Sequence, residues 1–371
     1  SRLAFDTTRL TTEVEAEMPK GIELEAEVEF EHGGTGSALE LEYEEFGEFE
    51  SEVENGGEEI VEELYVEKSF FDGHLSAKVG RFYVAMGLLS NHYRPTNYLG
   101  TERPASETTI LPAVWDEMGA SVTGTLGPVE ITAQVVNGLD SSKFSKQRWV
   151  ASGHQTRFEE LRARNLAGVG RIDVTPIDDV TVGASVYGGN TTGNRPKPDL
   201  AKKCKGNDRQ SERAPCGYVK APVVIGDVHV SVDLEPVRTR GVAIWGNLEK
   251  AQTITERNDS LPRNLDVLQS AVSNQAFGAW FEAGLDVTHW SNLGSRHRLE
   301  PFGRFEYYDT VFNPRASLED DPRFEVTLVS AGLDYTYRDV LVSKLAWTHR
   351  SFGSGDLRTQ QEVRFSQGFT F

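Results

Sequence analysis

From Glu13 to Met18 the chain alternates carboxylate and apolar residues, turns at Pro19-Lys20-Gly21, and alternates again. Ile22, Leu24, Ala26, Val28 and Phe30 take one side of an extended strand, and Glu23, Glu25, Glu27, Glu29 and Glu31 take the other. After Gly33-Gly34-Thr35-Gly36, Leu39, Leu41 and Tyr43 alternate with Glu40, Glu42 and Glu44. A helical period would spread these glutamates around a cylinder, whereas a period of two gathers them on one face. The pattern predicts three neighbouring strands with one apolar and one carboxylate face. Carboxylates side by side repel, so that face meets water or cations. It is either the solvated face of an ordinary sheet or the wall of a water-filled pore. As a pore wall it comprises Glu13, Glu15, Glu17, Glu23, Glu25, Glu27, Glu29, Glu40, Glu42 and Glu44.

The alternation continues along the chain. Leu64–Phe70 turns at Phe71-Asp72-Gly73 into Leu75–Met86, and comparable pairs meet at Gly127-Pro128, at Pro176-Ile177-Asp178-Asp179, at Glu235-Pro236, near Asn292-Leu293-Gly294 and at Arg338-Asp339. The stretch from Arg238 to Leu248 gives no clear inward face. Between these hairpins lie long polar loops at 87–113, 138–162, 188–221, 249–274 and 309–325. Short turns at one end and long loops at the other are the asymmetry of outer-membrane barrels, and a soluble sandwich has no reason to segregate its loops this way. The expected fold is all-β: one antiparallel transmembrane β-barrel of about 16 strands spanning residues 1–371, with short periplasmic turns and long extracellular loops. Aromatics near strand ends (Tyr83, Trp115, Trp245, Trp280, Trp290, Tyr307, Trp347) would form interface girdles or pack as ordinary core.

The chain closes on Thr359–Phe371, where Val363, Phe365, Phe369 and Phe371 point one way and Glu362, Arg364, Ser366, Gly368 and Thr370 the other. An exposed aromatic strand suits a barrel facing lipid, where the last strand pairs with the first and leaves no edge. This ending resembles the C-terminal signature of bacterial outer-membrane barrels. The likeness makes Phe365, Phe369 and Phe371 an assembly signature read by the barrel-insertion machinery.

Composition narrows the choice. Hydrophobic residues are 38% of 371, and no run approaches the roughly 20 apolar residues of a membrane helix. The net charge is -19, and residues 1–70 alone hold 22 Asp and Glu against 4 Lys and Arg. The acidity thus belongs to the first strands. Cys204 and Cys216 bracket a polar loop and fit a disulfide worth about 3 kcal/mol, formed in an oxidising compartment. Two unconnected thiols are the alternative. With no adjacent histidine they do not suggest zinc.

Several stretches resemble the phosphate-selective porin O and P family. These are Val79-Gly80-Arg81-Phe82 with Met86-Gly87, Arg103-Pro104, Ile110-Leu111-Pro112, Trp115-Asp116-Glu117-Met118-Gly119, Phe277–Gly284 and Pro301–Glu306. The likeness runs from about residue 60 to the end. It implies a 16-stranded, trimeric outer-membrane porin whose loop at about 87–113 folds inward to narrow the pore, with Arg94 and Arg103 at the constriction. One departure is plain: that family is associated with a basic lumen, and these first strands are acidic. Phosphate selectivity is therefore not carried over.

Arg171, Arg304 and Arg364 fall at expected inward positions, joined by Lys344, and would oppose the acidic wall across the aperture. Alternatively these charges only hydrate a wide lumen. The basic run from Arg195 to Lys220 would draw anions or lipopolysaccharide phosphates to the outer mouth, or is a solvated loop. No G-x-S-x-G, P-loop or dinucleotide motif occurs, His74, His92, His154 and His289 lack metal-ligand spacing, and no basic helix suggests nucleic acid. No catalytic residue, cofactor or metal is expected. The expected function is a porin in the outer membrane of a Gram-negative bacterium, in contact with lipid and lipopolysaccharide, passing small hydrophilic solutes or ions. The alternatives are a substrate- or phosphate-selective channel and a non-conducting barrel that anchors a partner protein.

Overall fold

The computed structural model describes residues 9–31, 38–43, 49–54, 59–92, 94–154, 163, 165–191, 220–259, 268–291, 296–314, 320–354 and 357–370. The alternating stretches form β1 (Arg9–Met18), β2 (Ile22–Glu31), β3 (Ala38–Tyr43), β4 (Phe49–Glu54), β5 (Glu59–Phe70), β6 (Leu75–Tyr83), β7 (Asp116–Leu126), β8 (Val129–Asn137) and β9 (Leu166–Ile177). They continue as β10 (Val180–Asn190), β11 (Pro222–Leu234), β12 (Val237–Leu248), β13 (Gln275–Leu285), β14 (His297–Asp309), β15 (Glu325–Tyr337), β16 (Leu341–Phe352) and β17 (Gln360–Phe369). Two short helices, α1 (Ala105–Ile110) and α2 (Ala251–Asp259), lie in long connections.

Among the described residues, fifteen strands form one antiparallel sheet in the order β1-β2-β5-β6 and onward to β17, while β3 and β4 pair with each other in a separate two-stranded sheet. This corrects the expected three-strand acidic unit: β5, not β3, is the neighbour of β2. The short connections suit the right-handed strand twist. Phe71 and Asp72, and again Arg338 and Asp339, have consecutive positive φ values, the signature of type I′ hairpins.

The sheet curls around its own loop. Segment 84–115, between β6 and β7, bonds through Arg94 to Glu13 of β1, through Gly87 to Arg171 of β9, through Thr96 to Arg238 of β12, and through Glu102 to Arg304 of β14. It also meets β16 through Tyr98, and Pro95 lies against Gly368 of β17. One segment reaches strands along the whole sheet only if the sheet surrounds it, which is a barrel. The outer face is apolar and exposed, with Val14, Val79, Val228, Phe305 and Phe365 among its side chains. Trp245, Trp290 and Trp347 also face outward, whereas Trp115 and Trp280 are buried inside and leave the expected girdle.

Among the described residues the main sheet holds fifteen strands, in keeping with the about sixteen expected, and the parity of the described strands has a consequence. Fourteen antiparallel pairings lead from β1 to β17, so the two edge strands run in the same direction. Among the described residues no ladder joins them, and the expected pairing of the last strand with the first is not formed. β1 starts at the long-loop end, not at the short-turn end as a sixteen-stranded count requires.

Candidate pore constriction

Segment 84–115 is built around Glu107 on α1. Its Oε1 accepts the backbone N–H groups of Leu88, Leu89 and Ser90 at 2.8, 2.7 and 2.7 Å, and its Oε2 accepts the Trp280 indole N–H at 2.7 Å. Burial pushes the Glu107 carboxyl above the ordinary range, and these four donors pull against it. Ser106 N–H donates to Glu306 at 3.0 Å, and Ile110 fills the space over Gly278, where a Cβ would come within 2.7 Å. Residues 17 to 19 positions apart in sequence are thereby knitted into one inward-folded unit docked on β13 and β14.

The wall beneath this unit is a grid of paired charges. Arg304 donates through Nε and Nη2 to Glu282 at 2.9 and 2.6 Å, and its Nη1 reaches the Glu102 carbonyl at 2.8 Å. Arg238 pairs with Glu300 at 2.7 Å and donates to the Thr96 carbonyl at 2.9 Å. Lys344 pairs with Asp334 at 3.1 Å and donates to the Tyr98 carbonyl. Arg171 pairs with Asp173 and donates to the Gly87 carbonyl at 2.6 Å. Arg364 meets Glu102 and Glu362, Arg103 donates to the Ser90 carbonyl, and Arg94 pairs with Glu13 at 2.7 Å. Of the six basic residues singled out in the sequence, Arg171, Arg304, Lys344 and Arg364 reach this loop from the wall, and Arg94 and Arg103 belong to it. A buried cation satisfied by a carboxylate and a backbone carbonyl is a fastener.

On the opposite side, Glu13, Glu15 and Glu17 of β1 stand directly across from Glu27, Glu25 and Glu23 of β2. The β1 carboxylates are exposed, whereas Glu27 and Glu29 are buried. A bulge in β5 opposite Glu27 and Val28 leaves Glu62 outside the ladder, so that adjacent Glu62 and Glu63 are both buried. The Tyr83 hydroxyl lies 2.7 Å from Glu27 and 2.9 Å from Glu62, Tyr65 donates to Glu25, and Arg9 pairs with Glu29. Glu40 and Glu42 lie on β3, outside this wall, and Glu44 lies outside the described residues, as do Cys204, Cys216, Phe371 and all of the basic run before Lys220.

Further loops fold inward, which no periodicity along the chain signals. Leu139, Phe144, Trp149 and Val150 are fully buried, and Trp149 packs over Gly246 of β12 while its indole N–H donates to the Ser273 carbonyl at 2.9 Å. Arg257 of α2 donates to Ser141 at 3.0 Å. His154 contacts Asp116 at 3.0 Å; burial opposes its charge, but the Asp116 carboxylate overrides this and raises its pKa. Asp173, Asp227, His229, Glu282, Glu300 and Asp334 were also missed. The alternation of Asp227 and His229 with Val228 and Val230 was the available signal. Among the described residues no group of three or more His, Cys, Asp or Glu could hold a metal ion.

No protein-family model matches the chain, and no curated protein sequence matches it. Among solved structures, the chain is similar to the outer membrane channel DcaP of Acinetobacter baumannii, at 11% identity and a TM-score of 0.50 over 97% of this chain and 83% of that one. It is also similar to an anion-selective porin from Comamonas acidovorans, at 9% identity and a TM-score of 0.45, covering 96% of this chain and 82% of that one. The first likeness supports the outer-membrane barrel fold; the second is too distant to carry an argument.

Proposed function

We propose that this chain is an outer-membrane porin of a Gram-negative bacterium, through which small hydrophilic solutes or ions diffuse passively. The observation that carries this reading is segment 84–115, fastened inside the barrel by wall cations and meeting the acidic strands through Arg94 and Glu13. Its seat leaves exposed Glu13, Glu15 and Glu17 beside the path. The wall cations are engaged with carboxylates and loop carbonyls, so the acidic strands dominate the field and favour cations weakly. This agrees with the departure of the first strands from the basic lumen of the phosphate-selective family, whose motifs the later strands resemble. The reversal potential of purified protein in a planar bilayer under a salt gradient tests the reading. Cation preference is expected, weakened in Glu13→Gln and Glu15→Gln; clear anion selectivity rejects the acidic-wall assignment and favours the phosphate- or anion-selective alternative.

A second reading has its own observation. The inward packing of residues 138–154, 249–259 and 268–274 covers the long-loop mouth with buried apolar side chains, as in a barrel that anchors a partner without conducting. A bilayer that stays silent with correctly folded protein favours that reading. Sedimentation of the detergent-solubilised protein tests the trimer, which would stand in lipid and lipopolysaccharide and be inserted by the barrel machinery through Phe365, Phe369 and Phe371.

A further inference from the structure

We propose that His229 is a positioning residue of the constriction: as an imidazolium it locks the two side chains that grip segment 84–115 at Gly87, so the aperture depends on its proton. The inference rests on the channel reading above. Three strands carry two consecutive inward rows in register, Arg171–Ser185–Asp227 and Asp173–Gly183–His229. His229 Nδ1 lies 2.7 Å from Asp227 Oδ1, and its Nε2 lies 2.7 Å from Asp173 Oδ1. Carboxylates only accept, and the imidazolium is the one form of the ring that donates to both of them, since it alone carries two N–H groups.

Charge balance gives the same answer. The group holds half-buried Arg171 and Asp173 and buried Asp227, and it is neutral only when His229 is positive. One contact opposes the proton: Arg171 Nη2 lies 2.9 Å from Nε2, while Arg171 donates to Asp173 through Nε at 2.6 Å. Ser185 donates to Asp227 from β10. β8 places Glu130 beside Asp173, β12 places only Val242 and Ile244 opposite His229 and Asp227, and segment 84–115 brings His92 near Arg171. Gly183 leaves the room the pair needs. A Cβ there would stand 2.2 Å from Asp173 Oδ1 and 2.3 Å from His229 Nε2.

The group holds Gly87 by both of its peptide atoms. Gly87 N–H donates to Asp227 Oδ2 at 3.0 Å, and its carbonyl accepts from Arg171 Nη1 at 2.6 Å. Gly87 has φ +70°, a backbone conformation suited to glycine, and it opens the inward turn. When the ring loses the Nε2 proton, a lone pair faces the Asp173 carboxylate and the group gains a net negative charge. Asp227 and Asp173 then lose their common strut, Arg171 loses the fixed position of its Asp173 partner, Gly87 is released, and the aperture widens.

The test is single-channel conductance of the full chain between about pH 5 and about pH 9, read against the titration of histidine. Wild type is expected to rise reversibly by about twofold toward alkaline pH, and His229→Gln to stay at the alkaline level throughout, because an amide cannot donate from both positions. A step retained in His229→Gln, or a wild type that conducts without a step, overturns the proposal. Nitrogen chemical shifts of labelled histidine, assigned by difference from the variant, read the ring without conduction. A charged ring at about pH 7 supports the proposal, and a neutral one overturns it. Silence at every pH with a charged ring sinks the channel reading and, with it, the aperture role, while leaving the imidazolium strut in place.

Discussion

At the scale of single residues, the charged side chains of the inner wall act as fasteners. Arg304 and Glu282 are nearly excluded from solvent, so removing one strands the other. Glu282→Ala should lower stability by about 3–5 kcal/mol, read from denaturant unfolding in detergent, with part recovered when Arg304→Ala is added. A double variant no more stable than Glu282→Ala would contradict the pairing. His154 has a distinct pH signature. Its folded pKa is raised, so its contribution is complete below the unfolded value of about 6.5 and is lost as pH rises through the folded value. Hydrogen exchange in residues 138–153, corrected for intrinsic rate, should therefore accelerate above neutral pH in wild type but not in His154→Gln. The six basic positions were singled out in the sequence by a period of two and a family resemblance. Their partners were not, because a backbone carbonyl such as that of Tyr98 leaves no trace in residue type.

At the scale of elements, the strands followed the alternation wherever one inner face keeps one character. β12 does not: from the short-turn end its inward residues are Arg238 and Arg240, then Val242, Ile244, Gly246 and Leu248. The change marks where the loops rest on the wall, and a sequence that switches from charged to apolar on one face has no readable periodicity. Trp149 is the centre of that cover. Trp149→Ala should cost about 3–5 kcal/mol and, if the loops narrow the mouth, raise single-channel conductance. An unfolding midpoint equal to wild type would show that the loop does not pack as described. Gly246→Ala should reproduce the effect from the other side, since its Cβ would stand 2.1 Å from the Trp149 ring.

At the scale of the whole molecule, an exposed apolar exterior surrounds a charged interior, the reverse of a water-soluble protein. Val228 is 58% exposed on this exterior, and its neighbours Asp227 and His229 are buried on the inside. Val228→Arg should reduce folding into lipid vesicles by about 2–4 kcal/mol if the position lies near the bilayer centre, while Ser231→Arg on the inner face should cost much less. Equal costs at the two positions would argue against lipid on the outer face.

The sequence by itself determined the strand periodicity, the turn positions, the long-loop and short-turn asymmetry and the acidic character of the first strands. These follow from side-chain direction and turn chemistry, which are local. Tertiary structure alone decided that β3 leaves the sheet, that fifteen strands bring the two edges into the same direction, and that the basic residues bind a loop instead of lining an open passage. Those outcomes depend on which groups meet across the lumen. Contact between residues as distant as Gly87 and Asp227 arises only when the sheet curls, so no local pattern carries it.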